Sequence, residues 1–279
     1  MSGKLYVVGT PIGNLSDMTP RAVEILSSVD FIAAEDTRVT LKLLNCFEIK
    51  NSLMSYHKFS DDSVAEKICM RILAGEDCAI VTDAGMPCVS DPGEELVKKA
   101  YEMGIEVSVI PGVSAAISAL AISGLDTARF AFEGFLPVNK KQRKDILSKL
   151  STDTHTLIFY EAPHKLIDTL SDLYENFGER KISLCRELTK LHEEVIRTTL
   201  SEAVSLYDDE KKPRGEYVLI IEGASEKNLK EDFSIEDAVE IARKNISDGM
   251  KPTNACKLAA KKTGFSKGEI YSLISSDKT

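Results

Sequence analysis

The sequence predicts an α/β protein: two doubly wound αβα domains followed by a small helical extension. Three observations predict it. Short apolar runs alternate with longer amphipathic stretches from Leu5 to Glu222, the rhythm of repeated βα units. Two turn sequences, VTDAGMPCVSDPG (81–93) and VIPGVSA (109–115), interrupt that rhythm where strands end, and both are built from small residues, Pro and Asp. A polar, charged stretch, Ala224 to Asp232, then precedes three short helical segments.

Taken in order, Leu5–Val8 is the first strand, and a helix is entered through Asp17, Thr19 and Pro20, with Pro in the first turn where helices tolerate it. Strand Asp30–Ala34 ends in EDTR (35–38) and leads to helix Val39–Phe47. Asn51–Ser55, helix Asp62–Ala74, strand Cys78–Thr82, helix Asp91–Met103, strand Glu106–Ile110 and helix Val113–Ser123 complete a first domain over 1–123. In that reading Asp91 is the cap of its helix. Gly124–Arg129 is a linker into a second domain over 124–223. Its strands are Ala131–Phe135, Thr156–Tyr160, Lys181–Cys185 and Glu216–Glu222, and its helices are Lys140–Leu150, Pro163–Phe177 and Ser201–Tyr207. Arg186–Thr199 is open between loop, hairpin and helix. The extension, 224–279, reads as helices Ser234–Ser247, Thr253–Thr263 and Ser266–Ile274, with a turn near Gly264.

Composition narrows the function class. Met1–Lys4 runs into a strand with no apolar core or cleavage site, and the run Val113–Leu125 is broken by serines, so a cytoplasmic protein without a membrane span is expected. Cys46, Cys69, Cys78, Cys88, Cys185 and Cys256 lack CxxC or zinc spacing and read as reduced thiols. The four histidines form no HExxH pattern, so no metal site is expected. A net charge of −9 argues against an all-round nucleic-acid clamp. Two basic clusters stand against it: Lys140, Lys141, Arg143 and Lys144, and Arg243 to Lys267. Either is a solvated helix face or a contact for an anionic partner.

In an open α/β sheet ligands sit at the carboxyl ends of strands, so the two turn sequences line one crevice. Small residues there let backbone groups approach a ligand, and Asp83 adds a negative charge at a strand end where packing explains an acid poorly. GTPIGN (9–14) follows the first strand but is neither GxGxxG nor a P-loop. The pocket suits a small molecule with hydroxyl or cationic groups.

In order, GTPIGNLSDMTPRA, EDTR, VTDAGMPCVSDPG, VIPGVSA, FEGFLP (132–137), FYEAPHK (159–165), CRELTKLHEE (185–194) and RGEYVLIIEG (214–223) resemble the tetrapyrrole-methylase superfamily. More closely, they resemble its bacterial branch that methylates a cytidine 2′-hydroxyl in small-subunit (16S) ribosomal RNA. The resemblance runs from about residue 4 to the C-terminus. It implies a dimeric enzyme with S-adenosylmethionine in a cleft between two α/β domains, acting on ribosomal RNA or the assembled small subunit. By the same resemblance Thr10, Pro11, Asp83, Ala84, Gly85 and Met86 contact the methionine part, joined by Ser114 and Ala115. Phe159, Tyr160, Arg214, Gly215 and Glu216 approach the adenosine side. One departure is Asn139, where the family often has Lys.

Methyl transfer to a ribose hydroxyl needs the oxygen and methyl held in line and gains from a base. The candidates are Glu35, Asp36 and Glu187, with Arg38, Arg186 and Lys190 to hold phosphate or lower the hydroxyl pKa. Glu161 and His164 come second. The structural alternative is that Glu35, Arg38, Arg186 and Glu187 form ion pairs across the cleft. Tyr56, Phe59 or Phe135 are candidates to stack a flipped cytosine. Lys140, Lys141, Arg143, Lys144, Lys190, Lys257, Lys261 and Lys262 are the expected RNA contacts. Two other functions compete: methylation of a tetrapyrrole ring carbon or a modified protein side chain, and a non-enzymatic RNA-binding assembly factor.

Overall fold

Strands β1 (Lys4–Val8), β2 (Phe31–Ala34), β3 (Leu53–Ser55), β4 (Cys78–Val81) and β5 (Glu106–Ile110) form an all-parallel sheet in the order β3-β2-β4-β1-β5. The computed structural model describes residues 2–58, 60–207, 212–225, 234–247, 250–263 and 265–276. The central strands are apolar on both faces because helices cover both. Helices α1 (Pro20–Ser28) and α2 (Thr37–Cys46) cover one face, around Val8, Leu26, Ile32, Leu44 and Val81. Helices α3 (Asp62–Leu73) and α4 (Glu94–Glu102) cover the other, around Leu5, Phe31, Ile68, Ile80 and Leu96. Thr19 caps α1, its Oγ1 accepting from the Ala22 amide at 3.1 Å, with Pro20 as first residue. The helix expected from Asp91 starts three residues later, at Glu94, with Gly93 at its N-cap. Asp91 is not a cap, and its carboxylate is left for the cleft.

Helix α5 (Ala115–Ser123), assigned by sequence to the first domain, packs on the second sheet: Ala116, Ala119 and Leu120 meet Ile158, Cys185, Val218 and Ile220. Packing therefore places the division between the two sheets ahead of α5.

The second sheet contains β6 (Phe130–Phe135), β7 (Thr156–Glu161), β8 (Lys181–Arg186), β9 (Glu194–Thr199) and β10 (Tyr217–Ile221), in the order β6-β7-β10-β8-β9. Only β6 and β7 pair in parallel; β10 runs antiparallel to β7 and β8, and β9 antiparallel to β8. The open stretch Arg186–Thr199 is thus a loop and the return strand of a hairpin. Helices α6 (Lys140–Leu150), α7 (Leu166–Phe177) and α8 (Leu200–Ser205) cover one face, and α5 covers the other, so this layer's second cover is borrowed from the preceding unit. Asn139, the departure from the family pattern, caps α6: its Oδ1 accepts from the Lys141 and Gln142 amides at 3.1 Å each.

Helices α9 (Ile235–Ser247), α10 (Pro252–Thr263) and α11 (Lys267–Ser276) share a small core of Ala238, Ala242, Cys256, Ala259 and Ile270. Most of the linker expected over Ala224–Asp232, and Gly264, lie outside the described residues. Among the described residues no helix is long and apolar enough to cross a membrane.

Candidate active site

The carboxyl ends of β1, β4 and β5 lie side by side, and their loops build the floor of a cavity of about 460 Å³. Thr10 and Gly85 exchange backbone hydrogen bonds at 2.9 and 3.1 Å, and the buried Thr10 hydroxyl donates to the Thr82 carbonyl at 3.2 Å. The Gly112 amide donates to Met86 Sδ at 3.3 Å. Ser114 and Ala115 open α5, where amides have no carbonyl one turn back to bond. Ala84, Gly85, Met86, Ser114 and Ala115 all line the cavity.

The opposite wall is the α5-covered face of the second sheet. Tyr160, Cys185 and Val218 line it, and the Tyr160 hydroxyl accepts from the Ala116 amide at 3.2 Å. Burial pushes both the Tyr160 phenol and the Cys185 thiol up. Lys190 Nζ stands 2.9 Å from Glu187 Oε1 and 2.9 Å from Glu216 Oε2, and all three residues line the cavity. Lys190 holds the Glu187 carboxyl below its ordinary range, helped by the Glu216 amide, which donates to Oε1 at 3.0 Å. A Cβ on Gly13 would collide with Lys190 Cγ, so the loop after β1 lies directly on this clamp.

Acids gather beside the cavity. Glu35 Oε2 accepts from the Thr82 hydroxyl at 2.6 Å, and Asp83 Oδ1 accepts from the Asp36 amide at 3.2 Å. Asp36 caps α2, accepting from the Arg38 amide at 2.8 Å, and pairs with the Arg38 guanidinium at 2.6 Å. That side-chain bond holds the Asp36 carboxyl down to about 2. Desolvation, then the neighbouring Glu35, pushes Asp83 up. Asp91 is pushed up to about 6 by burial and by Glu35 and Asp83. It lines the cavity from a tightly wound loop in which Cys88 and Ser90 both have positive φ, 72° and 64°, a conformation unfavourable for side chains with Cβ. Among the described residues no hydrogen bond or ion pair engages its carboxylate.

The sequence-predicted residues therefore separate. Thr10 and the buried Pro11 brace the floor rather than face the cavity, and Asp83, Glu35, Asp36 and Arg38 do not line it, although Asp83 adjoins Ala84, which does. Arg214 is exposed and outside the cavity, and Gly215 abuts the Glu187 side chain. Phe159 requires a correction. It is fully buried in the core under α6 and α7, because adjacent strand residues point to opposite faces and Tyr160 takes the cleft face. The alternative of cross-cleft ion pairs is not what the structure shows: Arg38 pairs with Asp36, Arg186 with Glu194 at 3.1 Å, and Glu187 with Lys190, all local in the chain. Lys190 is one-quarter exposed and committed to two carboxylates rather than free for RNA.

Lys140, Lys141 and Lys144 are exposed on α6, whereas Arg143 is turned inward onto α7. Lys257 is exposed on α10; the side chains of Lys261 and Lys262 lie outside the described residues, as does Phe59. Tyr56 is buried and cannot stack a base, but Phe135 is 58% exposed at the mouth, edge-on to Tyr160 at 5.5 Å. Sequence reasoning named no site role for cavity residues such as Asp91, Leu188 and Ala162; the DPG turn was the available signal for Asp91, and the motifs FYEAPHK and CRELTKLHEE held the other two. Among the described residues no group of three or more His, Cys, Asp or Glu is arranged to hold a metal ion.

Comparison with known proteins agrees with this architecture. The chain is 46% identical over 273 residues, 97% of its length and 94% of the relative's, to a protein of Halalkalibacterium halodurans named ribosomal RNA small subunit methyltransferase I. It is 44% identical to the protein of that name from Bacillus subtilis, across 96% of this chain and 93% of the relative. A third relative of that name, from Thermotoga maritima, is 45% identical and matches 79% of this chain but 99% of its own length. The methyltransferase CobJ has a similar fold, with a TM-score of 0.60 at 18% identity, over 80% of this chain and 95% of that one. Uroporphyrin-III C-methyl transferase from Thermus thermophilus, solved with S-adenyl homocysteine, scores 0.56 at 18% identity over 79% and 97%. Residues 4–204 match the tetrapyrrole (corrin/porphyrin) methylases, and with these near-full-length relatives the chain belongs to that family.

Proposed function

We propose that this chain is an S-adenosylmethionine-dependent methyltransferase that methylates the 2′-hydroxyl of a cytidine in small-subunit (16S) ribosomal RNA, in the cytoplasm. The observation that carries it is the 46% identity across nearly the whole of both chains to a relative named as a small-subunit rRNA methyltransferase. The uroporphyrin-III C-methyl transferase shares the fold at 18% identity and does not favour that substrate.

The cavity fits the cofactor. Its size is that of a small-molecule site, and its lining combines Ala84, Ala115, Leu188 and Val218 with the carboxylates of Asp91, Glu161, Glu187 and Glu216. Gly85 has φ of 85°, and a Cβ there would stand 3.3 Å from Ile12 at the cavity floor. When bound, S-adenosylmethionine supplies a methyl group on a cationic sulfur. The apolar lining covers uncharged adenosine, the acids balance the cationic part, and the amides of Ser114 and Ala115 offer donors to a carboxylate. Asp83, one hydrogen bond from Asp36, adds negative potential beside Ala84.

Asp91 is the group for taking up the hydroxyl proton. Asp36 is held by Arg38, Glu187 by Lys190, Glu161 by Thr169, and Glu35 accepts the Thr82 hydroxyl. Asp91 is raised toward neutrality, where a carboxylate is a better base yet still ionised at pH 7. Phe135 offers an aromatic face for the cytosine at the mouth, and Lys140, Lys141 and Lys144 offer ammonium groups to phosphates beyond it.

A homodimer belongs to the same reading. Helix α5 is apolar all round, with Ile117 and Ile122 on its uncovered side, and edge strand β5 leaves Val107 and Val109 exposed. A second copy over this face covers both.

The test is incubation with methyl-labelled S-adenosylmethionine and small subunits lacking the modification, naked ribosomal RNA, or a tetrapyrrole precursor. Label on a cytidine ribose is the expected result. Absence of label from every RNA overturns the proposal.

A further inference from the structure

Beside the cofactor cleft lies a second hollow, of about 790 Å³, between α6 and α7. Lys140, Lys144 and Lys165 edge it, while Arg143 and the fully buried Thr169 form its depth. The two cavities share a wall. In the short 3-10 turn Pro163–Lys165, Pro163 faces the cleft and Lys165 the hollow.

A hydrogen-bonded chain crosses that wall. Arg143 Nε donates to Asp172, and its Nη2 donates to Thr169 Oγ1 at 2.8 Å. The same hydroxyl donates onward to Glu161 Oε2 at 2.5 Å. The other oxygen, Oε1, accepts from the Ala162 amide at 2.9 Å. Glu161 is 4% exposed, and Glu161, Ala162 and Pro163 all line the cleft. A buried carboxylate holds its place only when both oxygens are bonded. Thr169 is the joint, because a hydroxyl can accept from the guanidinium and donate to the carboxylate at once.

From this juxtaposition we infer that Arg143 is a positioning residue of the cofactor cleft. It acts through Thr169 on Glu161 to fix the wall from Glu161 to Pro163, and it is not a phosphate contact; the inference rests on the cleft being the S-adenosylmethionine site. Arginine is required because its planar fork bonds Asp172 and Thr169 together, which a lysine ammonium on a flexible stem does not reproduce. Valine at 169 keeps the shape and removes both bonds; serine keeps both.

The experiment measures S-adenosylmethionine binding by calorimetry on the full chain without RNA, and RNA binding by filter retention without cofactor. T169V and R143K are expected to weaken cofactor binding about tenfold, the size of one lost bond to a charged group. Their RNA affinity stays within about twofold, T169S binds as wild type, and the paired variant K140A/K144A shows the reverse pattern. In turnover, T169V raises KM for cofactor and leaves KM for RNA in place. Cofactor binding by T169V within about twofold of wild type overturns the inference, as does a loss in R143K that falls on RNA alone or on both ligands equally. Thermal melting checks folding, and if T169V does not fold, R143K against T169S decides. Wild-type protein that binds no S-adenosylmethionine is a separate failure, that of the proposed function.

Discussion

Gly9 and Gly112 lie backbone against backbone: a Cβ on Gly9 would stand 2.7 Å from the Cα of Gly112, and one on Gly112 would stand 2.8 Å from the Cα of Gly9. One follows β1 and the other β5, neighbours in the sheet, so the two loops can close the cavity floor only where neither carries a side chain. Substituting Gly112→Ala must push backbone from backbone, as no flexible side chain can yield. The expected loss is about 1–3 kcal/mol of stability, typical of overpacking, together with weakened cofactor binding. Urea unfolding and calorimetry read the two effects; an unchanged urea midpoint contradicts the close approach.

Asp91 gives a pH signature. Its folded-state pKa is about 6 against 3.8 for the ordinary carboxyl, so the folded protein binds more protons than the unfolded chain between those values. Stability from this site is therefore greatest in acid, declines as pH rises from about 4 to about 6, and is level above. Asn at 91 removes the buried charge: Asp91→Asn is expected to be more stable than wild type at neutral pH by about 1 kcal/mol, discounted for solvent screening, with the gap closing near pH 4. Activity moves oppositely. With Asp91 as the proposed base, the wild-type rate is expected to rise through about pH 6 as the carboxylate forms, and the variant to lose about 10²-fold or more in kcat. A variant that keeps full kcat removes Asp91 as the base.

If RNA runs over α6 as proposed, the exposed α6 lysines are expected to set the salt dependence of binding. Each phosphate contact contributes about 0.7–0.9 to the slope of log K against log salt, so K140A/K144A is expected to flatten that slope by about 1.5. Arg143, committed to Asp172 and Thr169, leaves the slope unchanged when replaced by Lys. Filter binding over a salt series measures both; an unflattened slope in the double variant moves the RNA elsewhere.

Phe135 is 58% exposed at the mouth, with Tyr160 braced edge-on behind it. Stacking one base on an aromatic ring is worth about 1–3 kcal/mol, so Phe135→Ala is expected to raise KM for RNA by about 5- to 150-fold with cofactor affinity intact. Leu at the same position restores bulk without the ring and should not rescue. Recovery in Phe135→Leu shows that packing, not stacking, is the contribution.

The uncovered α5 and β5 surface predicts an assembly state. A charge on either exposed apolar surface, Val109→Lys on β5 or Ile117→Lys on α5, is expected to convert the proposed dimer to monomers in analytical ultracentrifugation, since an unpaired buried ammonium is strongly unfavourable at an apolar interface. Wild-type protein that sediments as a monomer at all concentrations refutes the dimer.

How much of this was legible beforehand differs by residue. The strand Cys78–Val81 and the turn after it were readable because a buried strand is a short apolar run and its end is marked by breakers. Ala84 to Met86, Ser114 and Ala115 follow from the rule that loops at strand carboxyl ends meet. Phe159 was misread because a motif is quoted as a string, while a strand sends neighbouring letters to opposite sides. Asp91 was misread because a local rule, Asp ahead of Pro and a helix, describes a cap well; only the fold shows that Gly93 holds that place.

The sequence by itself determined most of the strands and helices, where the breakers fall, and the family, because these depend on periodicity and on residues close in the chain; Arg186–Thr199 was left open. The tertiary structure alone decided which charges are free. Arg143 and Lys190 look like any other cations in a basic or mixed stretch, yet each is bonded to residues some 26 positions away, Thr169 and Glu216. It also decided that β9 and β10 run against their neighbours and that α5 covers the second sheet. Partners so far apart in the chain leave no local pattern, since what brings them together is the packing of whole layers.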